Sequence, residues 1–482
     1  MITFVCAIII LVIAYFTYGK FIEKIFGVTP KRKTPAFANH DGVDYLPMGK
    51  QKNALIQLLN IAGTGPIFGP IMGALFGPMA FIWIVVGAIF AGAVHDYLTG
   101  MISIRNRGAH IPELAGRFLG KVSKHIVNVF ALLLLLLVGT VFVTTPASLL
   151  HIVLDAKVAL WIIIAVIFIY YLLSTILPID KIIGRFYPIF GAILLIGTVG
   201  VGGALVFSDY TIPEITFQNW HPDNVPFIPI IFFTITCGAL SGFHATQSPI
   251  ISRTVKNESQ GRYIFYGMMI AEAVIAMIWA AAAMSMLDGQ TLSQMIDSGT
   301  PSVVVNDVSK TLLGAIGGTI AVLGAIVLPI TSGDTAFRAA RSIIADYLKI
   351  DQKQLRKRLY IALPLFGLSI LLTQIDFNIL WRYFSWANQA TAAIALWIAT
   401  MYLFVKGKNY IVSLIPAIFI SYMVFVYILN AQIGFQLKLN TSFIIGIFLT
   451  IILTYMFFVK ARNNKRNGIV TDLSAEDFEK TA

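Results

Sequence analysis

Charge is what this sequence has least of. Of its 482 residues only 12% are Asp, Glu, Lys or Arg, while 57% are hydrophobic. An ordinary globular domain carries roughly 25% charged residues, and a single soluble core stops growing well before this length, so no soluble fold hides that much apolar surface. Cysteine is nearly absent too. Cys6 and Cys237 sit in separate apolar blocks and read as small hydrophobic residues rather than a disulfide or a metal pair. There is no Gly-x-x-x-x-Gly-Lys-Ser/Thr phosphate loop, which argues against an ATP-driven pump in this chain, and no zinc-protease pattern or nucleophile elbow. The first apolar block lacks a basic start and a small-residue cleavage site, so it reads as a retained helix.

What is present comes in apolar blocks of about 20 residues, the length an α-helix needs to cross hydrocarbon. A β-barrel would show short alternating segments instead. The pattern predicts an all-α integral membrane protein with about 13 transmembrane helices. They fall near residues 2–19, 53–77, 79–104, 125–149, 157–177, 188–208, 227–250, 263–287, 312–333, 359–374, 379–405, 410–429 and 441–459.

The net charge of +12 points to a membrane rather than to nucleic acid because of where the charges lie. Lys20, Lys24, Lys31, Arg32, Lys33, Lys50 and Lys52 crowd the first connecting loop, and alternate later loops hold Arg105, Arg107, Arg117, Lys121 and Lys124, then Lys181 and Arg185, then Arg253, Lys256 and Arg262. Arg338, Arg341, Lys353, Arg356, Lys357 and Arg358 follow, and Lys460, Arg462, Lys465 and Arg466 open the tail. The intervening loops hold only Lys157, Lys310 and Lys438, beside Asp209, Glu214, Asp223, Asp288, Asp297 and Asp307. By the positive-inside rule the N-terminus lies outside and the C-terminus in the cytoplasm of a bacterial plasma membrane. Residues 1–20 form an N-terminal transmembrane helix, 21–52 a cytoplasmic basic loop, 409–460 two C-terminal transmembrane helices and 461–482 a cytoplasmic tail. Phe337 to Leu348 has apolar residues with arginines between, as in an interfacial helix, and the tail after Lys460 reads as disordered.

Two spans break the helical pattern. The second reads Asn60-Ile-Ala-Gly-Thr-Gly-Pro-Ile-Phe-Gly-Pro-Ile-Met-Gly73, and the seventh Thr236-Cys-Gly-Ala-Leu-Ser-Gly-Phe-His-Ala-Thr-Gln-Ser-Pro249. Pro66 removes a backbone donor and clashes with the preceding turn, so a break is expected there. Glycine alone would serve close helix packing, but here prolines, hydroxyls and amides accumulate at matching places. Unwound backbone at membrane depth is tolerated only in a protein interior or a watery cavity. Two such spans, five apart and opposite in orientation, mark an inverted five-helix repeat, 53–208 and 227–405, around a central site. Candidate substrate contacts are Asn60, Gly63, Thr64, Gly65 and Pro66 in the first break and Ser241, Gly242, His244 and Gln247 in the second. A half-helix starting near Pro66 offers free N–H groups to a carboxylate. Half-helices that stop there offer bare carbonyls to an ammonium group or a cation. That suits a zwitterion, and equally a lone carboxylate.

Polar residues inside the spans supply the coupling candidates. His95 and Asp96 could carry a proton or simply pin one helix to its neighbour. His244 is placed to meet substrate or Asp96, and Glu272 stands deep in the eighth span with no neighbouring charge. His95, Asp96 and His244 could in principle hold a metal, but spacing alone is weak evidence, and no metal and no cofactor beyond a coupling ion is expected. In the ninth span Leu328, Thr331 and Ser332, followed by Asp334, put oxygens on one face as Na⁺ would require, although such hydroxyls commonly bond back to their own backbone. Asn388 and Gln389 serve as substrate donors or interhelical links, and Arg382 snorkels to the outer interface.

Five strings together resemble the carbon starvation protein A (CstA) family of bacterial membrane transporters. They are Asn60 to Pro70, Ala91-Gly-Ala-Val-His-Asp96, Ser241-Gly-Phe-His-Ala-Thr-Gln-Ser-Pro249, Pro329-Ile-Thr-Ser-Gly-Asp-Thr-Ala-Phe-Arg338 and Trp381-Arg-Tyr-Phe-Ser-Trp-Ala-Asn-Gln389. The resemblance implies peptide uptake linked to carbon starvation, with some members taking up pyruvate by proton symport. It also implies a fold similar to the amino acid–polyamine–organocation transporters. The chain is shorter than the longest members, so their regulation is not carried over. The expectation is a secondary active transporter, not an enzyme, importing short peptides with H⁺ or Na⁺, with pyruvate as the alternative. Its partners are the small-molecule substrate and the lipid bilayer, not nucleic acid. A channel would need a continuous pore ring, and a membrane hydrolase would need a nucleophile or metal set that the sequence does not offer.

Overall fold

In the computed structural model, residues 1–473 are described except 43, 177–178, 351 and 353, with the backbone alone at 176, 179–188 and 299. The described chain is helical throughout. Its elements are α1 (Ile2–Phe16), α2 (Tyr18–Phe26), α3 (Pro35–Ala38), α4 (Lys50–Ala62), α5 (Gly65–Gly73), α6 (Met79–Gly87), α7 (Ala93–Arg105), α8 (Ile111–Leu119), α9 (Lys121–Val153) and α10 (Leu160–Ile176). After them come α11 (Ile179–Phe207), α12 (Phe227–Thr234), α13 (Gly242–Ser252), α14 (Gly267–Met286), α15 (Gly289–Leu348), α16 (Leu355–Leu372), α17 (Phe377–Val405), α18 (Ile411–Asn430) and α19 (Leu439–Arg466). By length and composition, nine of the described helices can cross a membrane, or ten if the bent pair Lys50–Ala62 and Gly65–Phe76 is one span. Apolar side chains turned outward, such as Ile9, Phe90, Trp161, Val199, Leu371 and Tyr455, cover the outer faces of the bundle, as lipid-facing helices require.

The short elements sit inside. α13 packs against α4, α7 and α17, and α14 packs against α4, α5 and α6, while the long α9 and α11 each lie along α15. The loops fall into two groups at opposite ends. At one end Thr3 N and Oγ1 donate to Glu214 in the loop before α12. At the other, Met48 N donates to Thr254 O at 2.9 Å, and Arg105 forms a two-pronged pair with Glu258, Nε to Oε1 at 3.1 Å and Nη2 to Oε2 at 3.0 Å. Lys406 joins this second group through Asp472 at 2.8 Å. Loops expected on one side by charge are therefore together in space.

Three expectations change. Phe337 to Leu348 is no separate interfacial helix: it continues α15, and Arg338 and Arg341 are buried, donating to Ser174 O at 2.9 Å and Gln352 Oε1 at 2.7 Å. Guanidinium groups that find carbonyl partners across a helix contact need not lie at an interface. The start of the tail is ordered: α19 runs on to Arg466, and Leu473 N donates to Arg105 O at 3.1 Å. The polar tail has charged partners that composition does not reveal. The first break falls at Gly63 and Thr64, ahead of Pro66, which occupies the first turn of α5, where a missing N–H costs nothing. Lys353 and the tail beyond 473 lie outside the described residues, as do the side chains of Lys181 and Arg185. Arg382 is exposed and hydrogen-bonded to Gln432.

Candidate functional site

Two helices are interrupted in the protein interior, and the interruptions touch. α4 ends at Ala62; Gly63 follows with φ 50° and ψ −143°, a conformation that a side chain would strain. α12 ends at Thr234 and α13 begins at Gly242, leaving 235–241 unwound, with Gly238 at φ 88°. A Cβ placed on Gly65 would coincide with the Cys237 side chain, and one on Gly69 would lie 2.8 Å from Thr234 O. The glycines of α5 therefore let its backbone lie directly on the second break.

The second break is held by side chains from elsewhere. Asn388 Oδ1 accepts from Phe243 N at 2.7 Å and from Ser241 Oγ at 3.2 Å, capping α13 from α17. Gln389 Nε2 donates to Phe232 O of α12 at 2.7 Å and to Leu240 O within the break at 3.1 Å. Trp83 Nε1 donates to Ile235 O at 2.8 Å. Asn388 and Gln389 thus work as interhelical links, and a Cβ on Gly242 would collide with Asn388 O.

The first break is different. Asn60 and Thr64 are buried, and their side-chain polar atoms find no hydrogen-bond partner, nor does Gln57, one turn before Asn60. Gln247 Nε2 donates to Thr246 Oγ1 at 2.9 Å, while its Oε1 and the Asn388 Nδ2 are unpartnered. Buried polar groups without partners are expensive, so these are where a polar ligand would be welcome.

Beside the breaks runs a chain of buried titratable groups. His95 Nδ1 lies 2.8 Å from Asp96 Oδ1, Asp96 Oδ2 lies 2.9 Å from His244 Nδ1, and His244 Nε2 lies 3.4 Å from Glu272 Oε2. The four residues come from α7, α13 and α14 and have no solvent-exposed surface. A π-helical turn, Ala88–Gly92, precedes α7, where Gly92 lies so close to Ala239 O that a Cβ would not fit. The linkage lets a proton taken up at one end be felt at the other, because each group's charge sets the preference of the next.

Farther along α4, Thr331 Oγ1 donates to Leu328 O at 2.8 Å, and Ser332 Oγ donates to Leu59 O at 2.8 Å. The two hydroxyls tie α15 to the last turn of α4, and Asp334 is buried one turn before Arg338. Sequence reasoning missed Gln57, Leu59, Trp83 and Cys237. Gln57 had a signal, its i, i−3 spacing from Asn60; the other three act through contacts with segments remote in the chain. A vestibule of ≈ 510 Å³ at the Glu214 end reaches as far as Thr234 and Ser385, and one of ≈ 640 Å³ at the Glu258 end is lined by Arg107, His110 and Arg253. Neither lining includes Gly65, His244 or Glu272.

The family described as "Carbon starvation protein CstA" matches residues 1–166, 144–311 and 295–427. The chain belongs to that family. An uncharacterized membrane protein of Haemophilus influenzae is 48% identical over 354 residues, covering 62% of this chain and 95% of the relative. The peptide transporter CstA of Campylobacter jejuni is 27% identical over 549 residues, 86% of this chain and 78% of its own length. The pyruvate/proton symporter BtsT of Escherichia coli is 25% identical over 354 residues, 58% of this chain and 48% of its own. In fold, the chain is similar to a crystal structure of a mutant Eremococcus coleocola manganese transporter, with a TM-score of 0.58 at 12% identity over 86% of this chain and 94% of the other. The named family relatives are transporters, not enzymes, and this CstA-family chain is a multi-pass membrane protein.

Proposed function

We propose that this CstA-family chain imports short peptides across a bacterial plasma membrane by secondary active transport coupled to H⁺. Residues 53–208 and 227–405 act as inverted repeats within a 13-span topology, N-terminus outside and C-terminus in the cytoplasm. The observation that carries the reading is the contact of the two breaks at Gly65 and Cys237, with unpartnered Gln57, Asn60 and Thr64 on one side and the His95–Asp96–His244–Glu272 chain on the other. At the start of α5 Pro66 has no N–H and those of Ile67 and Phe68 donate to Thr64 O, which leaves the Gly65 N–H and the positive helix end for a peptide carboxylate. The unpartnered amide oxygens of Gln57, Asn60 and Gln247 offer acceptors to its ammonium group. The family relationship to named peptide transporters supports the substrate class. The buried titratable chain supports H⁺, since a group that changes charge between two exposures is what coupling needs.

A lone carboxylate would use the same helix start, and one relative is named a pyruvate/proton symporter, so pyruvate is the second reading. The carbonyl of Leu59 with the Thr331 and Ser332 hydroxyls is the place where Na⁺ would replace H⁺. Reconstitution into proteoliposomes decides between them. Labelled di- and tripeptides should accumulate against a gradient when the outside is made acid, and pyruvate should not compete. Accumulation of pyruvate alone would select the second reading, and uptake of neither under H⁺ or Na⁺ gradients would reject both.

A further inference from the structure

We propose that Cys237, His244 and Glu272 form a buried site for one divalent transition-metal ion of the zinc class, with an open fourth coordination position at the contact of the two helix breaks. The thiol, imidazole and carboxylate ligand atoms all lie within 4.8 Å of one another, and all three residues are buried. A tetrahedral ion with bonds of about 2.0–2.3 Å holds its ligand atoms about 3.5 Å apart, and His244 Nε2 and Glu272 Oε2 are already 3.4 Å apart. The Cys237 sulfur, within 4.8 Å of the other two ligand atoms, has to move in by at most about 1.3 Å.

The roles of the atoms fit. His244 Nδ1 is engaged by Asp96, and its Nε2 has no hydrogen-bond partner; neither does Glu272 Oε1 or Oε2. A carboxylate that fixes one ring nitrogen and leaves the other free is the usual outer support of a metal-bound histidine, and Asp96 is itself held by His95 at 2.8 Å. Cys237 is on unwound backbone, with its sulfur 3.5 Å from Ser241 Oγ. Gly238 packs the break onto α14 one turn beyond Glu272, with its Cβ direction 3.9 Å from Glu272 O. A thiolate with an imidazole and one carboxylate selects a borderline or soft ion and disfavours Mg²⁺ or Ca²⁺. Thiolate, carboxylate and divalent ion sum to zero charge, which a fully buried site demands. Protons could neutralise the acids of the same cluster, but they give the sulfur no role. The metal site shares His244 and Glu272 with the proton-coupling reading, and Cys237 is the ligand that the metal alone uses.

The test uses the full-length protein in detergent with Cys6→Ala, which leaves Cys237 as the sole thiol of the two in the chain. After chelator treatment, Co²⁺ is titrated in and absorbance is followed. The expected result is a sulfur-to-cobalt charge-transfer band that saturates at one ion per chain and is displaced by Zn²⁺. Cys237→Ser should abolish the band, and Glu272→Gln should weaken Co²⁺ binding at least tenfold with Asp96 and His244 intact. Absence of the band in the Cys6→Ala protein, or its persistence in Cys237→Ser, would overturn the proposal. If Cys237→Ser fails to fold, the Cys6→Ala titration alone still decides. Peptide uptake is not the readout, so a failed metal site leaves the transport reading to be judged on its own experiment.

Discussion

A methyl group added at Gly65 would occupy the space of the Cys237 side chain, whereas one added at Gly203 would meet nothing within 4 Å. Gly65→Ala should therefore lower the thermal midpoint in detergent by the equivalent of about 1–3 kcal/mol, the ordinary cost of overpacking. Gly203→Ala, inside α11, should leave it unchanged or raise it, since Ala favours helix by about 1 kcal/mol. Equal midpoints for the two variants would mean that the breaks are not in contact. Asp96 carries the second residue-scale prediction. It accepts from two imidazoles, and Asp96→Asn keeps one acceptor oxygen while removing the charge. If the buried chain carries the proton, accumulation driven by a pH gradient should vanish while downhill exchange of substrate survives. Were the group merely structural, both activities would fall together with thermal stability, because the imidazoles lose a buried partner. Normal accumulation in the variant would eliminate both roles.

Elements were legible to different depths. The apolar blocks and the two broken spans could be read directly, because Gly and Pro act locally on backbone conformation. The run from Phe337 to Leu348 misled, because arginine at helical spacing looks the same whether it meets water or a carbonyl on a neighbouring helix, such as that of Ser174. Cys237 gave no hint of its surroundings, since His244 and Glu272 approach it from α13 and α14. The Arg105–Glu258 pair is equally unreadable at 153 residues apart in the chain. That pair makes a prediction for the end of α7: both side chains are buried, at 5% and 0% exposure. Glu258→Gln should destabilise the protein by about 3 kcal/mol, the low end of the cost of stranding a buried charge, since Asp472 remains 3.6 Å from Arg105. A thermal melt checks it, and an unchanged midpoint would mean that the guanidinium is solvated.

At the scale of the molecule, the two groups of loops divide the chain into ends, and the balance of basic residues predicts that the Glu258 end faces the cytoplasm. Single cysteines placed in the 20–52 loop of a Cys6→Ala, Cys237→Ala background should react with an impermeant maleimide only from the cytoplasmic side. Those at 209–224 should react only from outside. Reversed labelling would invert the orientation and the direction of the two vestibules. Mixed labelling within one loop would contradict the grouping of Met48 with Thr254, or of Thr3 with Glu214, at common ends.

The Gln389 amide grips Phe232 before the second break and Leu240 within it, and its neighbour Asn388 grips the start of α13. Adjacent residues of α17 thus splint a segment whose own helix-like support is confined to Ile235 N on Ile231 O and to Ala239 N and Leu240 N on Thr236 O. Whatever force tilts α12 or α13 must pass into α17, so the three travel as one rigid limb. α5 meets the unwound residues of that limb across a glycine-lined face, and touches α17 through the edge-on rings of Phe68 and Phe377. The chain has in this way put its stiffness and its freedom to slide next to each other, and relative movement of the limb and α5 would be a shear along Gly65, Gly69 and Gly73 rather than a bend at the unwound residues.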